Sequence, residues 1–129
     1  MQRHARDLFS AHAKWVFVMA SRENLAAVLE KLAAAPEGGR AATRVLAVLI
    51  RKMRKNGVVP LTPMQIKAEL GVHHAQVYRG LEVLADAGAV IIEREGDKPS
   101  RLRVNARLAT MLGRAERAAA QAHEPPIAA

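Results

Sequence analysis

Leu25, Val28, Leu29 and Leu32 recur at the spacing that lines one face of a helix, with Ser21 placed to cap it and Glu23 in its first turn. Pro36, Gly38 and Gly39 end that helix near Ala35. A second helix is predicted from about Arg40 or Ala41 to Lys55, on a stripe of Val45, Leu46, Leu49, Ile50 and Met53. Asn56 and Gly57 close it, since both tolerate the left-handed conformation of a helix end. Thr62 then opens a short helix, with Pro63 at its first position and Gln65 completing a capping box, and Ile66 and Leu70 face the core. Gly71 turns the chain, and His73 or His74 begins another helix, with Val77, Leu81 and Leu84 buried and Gly88 at its end. Gly80, in mid-helix, reads first as close helix packing, with a backbone approach to DNA as the alternative.

The pattern changes to short β-prone runs at Val90–Arg94 and Arg101–Asn105, joined by the turn-forming stretch Glu95–Ser100, which predicts a hairpin. Asn105 is expected to cap a last helix from Ala106 to about Gln121, with Leu108, Met111, Leu112 and Ala115 on one face; residues 123–129 are expected to fray. At the other end, residues 1–14 read as a polar arm and Trp15–Met19 as a short apolar, β-prone run.

Two short helices about a glycine turn, followed by a hairpin, make a helix-turn-helix with a wing. The expected class is α+β, mainly helical, a winged helix-turn-helix with flanking N- and C-terminal helices. Its spans are 1–39 (arm, apolar run and helix), 40–105 (winged-helix domain) and 106–129 (helix and tail). In such a motif the second helix enters a DNA major groove. With Val77 inward, His73, His74, Gln76, Tyr78 and Arg79 point outward. Gln76 suits adenine, and Arg79 suits guanine or phosphate. Lys98 sits near the hairpin tip, and Arg101 and Arg103 share its outward face. Thr62 and Gln65, at a helix start, suit a phosphate. The cluster of Arg51, Lys52, Arg54 and Lys55 reads first as a solvated face.

Composition sharpens this picture. The chain of 129 residues carries a formal charge of +8, with 14 arginines and 6 lysines, which favours a polyanionic partner, double-stranded DNA first. Aromatics make up only 3%, so the core is thin, which favours a homodimer sharing apolar surface. Residues 15–35 and 106–120 are the candidate dimer elements, with packing inside one chain as the alternative. There is no cysteine, so disulfides and thiolate metal sites are excluded. The neighbours His73 and His74 point to different sides of a helix, and no metal or cofactor is expected. No apolar run reaches the roughly 18 residues of a membrane span, and the N-terminus lacks a secretory pattern. A cytoplasmic protein without a membrane partner is the expectation. No nucleophile–base pair or phosphate loop is present, so no enzyme is expected, and no small-molecule ligand is indicated.

The stretch from Val58 to Ala109 resembles the replication proteins of small bacterial plasmids of the RepL type. The likeness lies in Val77-Tyr78-Arg79-x-Leu81, in Leu84 with Gly88, and in Arg103-Val104-Asn105; Val45–Leu49 matches in character, and the coverage is roughly Ala41 to Ala109. The resemblance implies that Gln76, Tyr78 and Arg79 read origin DNA, and that the protein initiates or controls replication without cutting DNA. MarR-like winged-helix repressors share the Leu-Gly-Val turn and basic wing, so transcriptional regulation is the alternative. A protein-binding winged-helix module is the alternative of another class. RNA binding is disfavoured, because such modules expose several aromatics and this chain has four in all.

Overall fold

The computed structural model describes residues 17–127. The arm at 1–14, the first part of the 15–19 run, and the last two residues of the tail lie outside them. The described residues form five helices and five strands. In chain order these are β1 (Met19–Ala20), α1 (Arg22–Ala34), α2 (Gly39–Lys52), β2 (Val58–Val59), α3 (Pro63–Leu70), α4 (His74–Asp86), β3 (Val90–Glu95), β4 (Lys98–Val104), β5 (Ala109–Thr110) and α5 (Arg114–Ala122). The class is a small α+β protein with antiparallel strands.

Local chemistry sets most of the helix ends. The Ser21 hydroxyl accepts from the Asn24 backbone N–H at 3.2 Å and caps α1. At α3 the capping box is complete: the Gln65 N–H donates to Thr62 Oγ1 at 3.2 Å, and the Thr62 N–H donates to Gln65 Oε1 at 2.8 Å. Gly71 ends α3 with φ +64°, a conformation that side chains rarely adopt. The end of α2 differs from expectation. It stops at Lys52, with Met53 extended, and the Asn56 side chain accepts from the Val58 N–H to lead the chain into β2.

β2 has only two residues, too few to show alternation, and it is seen only in its pairing: Val58 with Arg103 and Val59 with Leu102. The three-stranded sheet has the order β2-β4-β3. Its hairpin is tighter than expected. Glu95 pairs with Lys98, leaving a two-residue turn at Gly96 and Asp97, with Gly96 at φ +65°. Pro99 is accommodated beside a register shift at Glu93/Arg94, beyond the reach of β2, where its missing N–H breaks no ladder.

One core joins all three sequence spans. Val28 and Leu32 of α1, Val45, Leu46, Val48 and Leu49 of α2, Ile66, Val77, Leu81 and Leu84, Leu102 and Val104, and Leu108 and Ile127 are all buried in it. α2 is buried on more of its circumference than the expected stripe, Val48 included, because α1 and α4 both pack on it. Leu29 of the expected α1 stripe is instead exposed.

The C-terminal part departs most from the sequence reading. Asn105 does not cap a helix. Its amide donates to the backbone oxygens of Gly88 at 2.9 Å and Pro125 at 3.0 Å, and its Oδ1 accepts from the Arg107 N–H at 2.8 Å. The chain therefore turns, buries Leu108, pairs β5 with β1 and begins α5 only at Arg114. Apolar burial of Leu108 and Ala109 outweighs the helical spacing. Residues 124–127 are seated rather than frayed, with Glu124 and Ile127 buried.

Gly80 decides how closely α4 approaches α2. A Cβ there would lie 3.1 Å from the backbone of Ala41 and Ala42, atoms that no rotamer change can move aside. Gly80→Val is expected to destabilise the fold by about 1–3 kcal/mol. Urea denaturation should show this as a lower midpoint at unchanged slope.

Candidate nucleic-acid interface

α3 and α4 meet across the Gly71 turn. The first half of α4 presents its outer face to solvent, with His74, Gln76, Tyr78 and Arg79 all exposed. His73 is the N-cap, and its Nδ1 accepts from the Ala75 N–H at 3.3 Å, a task more often given to Ser, Thr or Asp. The His73 and His74 rings lie 4.5 Å apart, and Tyr78 meets His74 edge-on at 6.5 Å. These three rings form one exposed strip along the start of α4. Thr62 and Gln65 are exposed too, although their side chains are engaged in the α3 cap.

Two contacts link the hairpin to this helix, an exposed ion pair and a part-buried hydrogen bond. Arg94 Nη2 of β3 donates to Glu82 Oε1 of α4 at 2.6 Å. At the other end, the Asn105 bond to Gly88 ties the first residue after β4 to the turn that follows α4. Lys98 and Arg101 are exposed on β4, opposite Glu95 and Glu93.

Arg103 departs from the outward, free cation expected. It is only half-buried, but its guanidinium forms an ion pair with the buried Glu124 carboxylate. Glu124 also accepts at its backbone oxygen from Arg107 Nε at 2.9 Å. The cause is the seated C-terminal segment, which reaches back to the base of the hairpin. No periodicity in the sequence signals this long-range acid. Arg79 is likewise engaged: Nη1 lies 3.5 Å from Glu37 Oε2. Both groups are mostly exposed, so the pair is weak and exchangeable.

Gln76 and Arg79 also line a cleft of about 290 Å³, together with Arg40 and Arg44 of α2. Neither Arg40 nor Arg44 is among the site residues read from the sequence. Their i, i+4 spacing was a visible signal that they share a face, but their meeting with α4 depends on the Gly80 contact. Lys52, from the basic cluster at the end of α2, pairs with Glu69 at 3.5 Å. Among the described residues no group of three or more His, Asp or Glu side chains is placed to hold a metal ion. No described helix is long and apolar enough to cross a membrane.

Removing the acid at the hairpin base should be costly. Glu124→Ala leaves Arg103 partly buried without its partner and is expected to destabilise the fold by about 1.5–3 kcal/mol. Thermal or urea melts of the variant and of Glu124→Gln would measure this, and equal stability for all three would show the pair to be inconsequential.

Compared with family models, with curated proteins and with solved structures, the chain finds no match in any of the three.

Proposed function

We propose that this protein binds double-stranded DNA as a winged helix-turn-helix, with α4 in the major groove and the β3–β4 hairpin as the wing on the adjacent backbone. The observation that carries the reading is the exposed start of α4 lying beside a hairpin that Arg94–Glu82 and Asn105–Gly88 hold to the same helix. An α-helix of this kind fits the major groove, and an excess of positive charge supplies the attraction. His74, Gln76 and Tyr78 are the base-edge candidates; Lys98 and Arg101 are phosphate contacts. Thr62 and Gln65 offer a further phosphate contact only through the Thr62 hydroxyl proton and the Gln65 side-chain NH2, because their backbone N–H groups close the α3 cap. Arg103 contributes through the shape of the hairpin base, since Glu124 holds its charge.

The narrower reading is initiation or control of plasmid replication, which rests on the likeness at residues 77–88 and 103–105. Transcriptional repression uses the same DNA contacts and is the alternative. As a homodimer, the protein would present two α4 helices about 34 Å apart to a repeated site.

Selection from a random duplex pool, followed by fluorescence anisotropy across a salt series, tests this reading. Binding should weaken linearly with log salt, with a slope of about −0.9 per phosphate contacted. Tyr78→Ala should relax preference at one or two base pairs at a cost of about 1–3 kcal/mol. Lys98→Ala and Arg101→Ala should weaken all sequences alike and each reduce the slope by about 1. No duplex binding even at low salt would sink the proposal.

A further inference from the structure

The cleft between the start of α2 and the flank of α4 brings together three arginines from two elements. Arg40 and Arg44 stand one helical turn apart on α2, and Arg79 comes from α4. Arg79 is delivered there by its stem, which lies across Gly38: a Cβ on that glycine would sit 2.7 Å from Arg79 Cγ and 3.2 Å from Cδ. Arg44 is held in place, its Nη2 donating to the Leu70 carbonyl at the end of α3 at 3.2 Å. Arg40 is exposed, and among the described residues its side chain has no hydrogen-bond or ion-pair partner. Among the described residues no acid lines the cleft, and Glu37, next to Gly38 at its edge, pairs with Arg79.

Three arginines lining one cavity, only one of them paired with a carboxylate, leave an excess of positive charge that an anion would relieve. Guanidinium groups match phosphate oxygens with paired N–H donors, which makes phosphate the best-fitting anion. We infer that Arg40, Arg44 and Arg79 together seat one phosphate of the DNA backbone, so that Arg79 fixes the register of α4 on the duplex instead of reading a base. The inference rests on the DNA-binding reading above and assigns the partner of Arg79 within it. The phosphate displaces Glu37 from Arg79, an exchange made easy by the exposure of both groups. Glu37 therefore acts against binding, and its removal should help.

The test uses the full chain and compares a selected duplex with a scrambled one. Arg40→Gln, which breaks no side-chain hydrogen bond or ion pair among the described residues, should weaken both duplexes alike by roughly threefold to tenfold and reduce the salt slope by about 1. Arg79→Gln should behave in the same way, and Glu37→Gln should tighten both duplexes. Unchanged affinity and slope for Arg40→Gln, with wild-type binding intact, would overturn the phosphate seat and leave the DNA reading standing. So would an Arg79→Gln variant that relaxes preference at a single base pair. A wild-type chain that binds neither duplex would remove the DNA reading itself, and this inference with it. In a second arm, inorganic phosphate and a nucleoside monophosphate are titrated into the protein and followed by amide NMR. Weak millimolar shifts at residues 38–44 support the seat. Saturation by the mononucleotide at micromolar concentration would assign the cleft to a free phosphorylated ligand and overturn the backbone assignment.

Discussion

The contact between Gly80 and the backbone of Ala41 and Ala42 governs the geometry of the candidate face. Helices separated by ordinary side chains sit roughly 8–10 Å apart. A glycine at the crossing lets α4 settle onto the first turns of α2 with no side chain between them. Val77, Leu81 and Leu84 then fix the rotation of α4, all three being buried. Distance and rotation together assign the flanks. Gln76 and Arg79 fall toward the arginines of α2, and Glu82 falls toward the hairpin and its Arg94. His74 and Tyr78 pair their rings on the same helix, on the surface left uncovered. The chemistry on each side of α4 therefore follows from one missing methyl group.

The C-terminal segment does for the hairpin what Gly80 does for the helix. A two-residue turn and a narrow sheet leave a hairpin free to swing unless its base is held. Here Asn105 satisfies both ends of its side chain at the junction, bonding to Gly88, Pro125 and Arg107. The Glu124 carboxylate neutralises Arg103, and Ile127 packs against the Gly88 turn. A hairpin restrained at its base by this network, and farther along by Arg94–Glu82, has less freedom to lose on meeting a partner. Order placed there in advance supports affinity without adding a contact.

What was legible in the sequence was what depends on neighbours along the chain. The capping box at Thr62–Gln65, the Ser21 cap, the left-handed Gly71 and the buried stripe of α4 all follow from local chemistry, and each is present. Close packing at Gly80 was also readable, because an exposed helix seldom tolerates glycine in its middle. β2 was not, since two residues have no period. The helix expected after Asn105 failed for a different reason: Leu108 and Met111 have helical spacing, but Leu108 is drawn into the core and Asn105 is drawn to Pro125. Arg103 looked free because the acid that binds it stands 21 positions away, at Glu124.

The same long-range pairing changes how the excess of positive charge should be understood. A formal +8 suggests a diffuse attraction, but six cations of the described residues are engaged. Arg79, Arg94, Arg103 and Lys52 face carboxylates, and Arg44 and Arg107 donate to backbone carbonyls. Arg40, Lys98 and Arg101 have exposed side chains with no such partner among the described residues, and so do Arg22, Arg51, Arg54, Lys55 and Arg114 elsewhere on the surface. Arg40 lies on the α2 side of α4, and Lys98 and Arg101 lie on the hairpin side. The ring strip of His73, His74 and Tyr78 lies at the start of α4 itself. Under the proposed function, the exposed cations on both flanks of these rings would hold the phosphate backbone while the rings meet base edges. A uniformly basic surface would attract DNA equally well, but it would give α4 no preferred register.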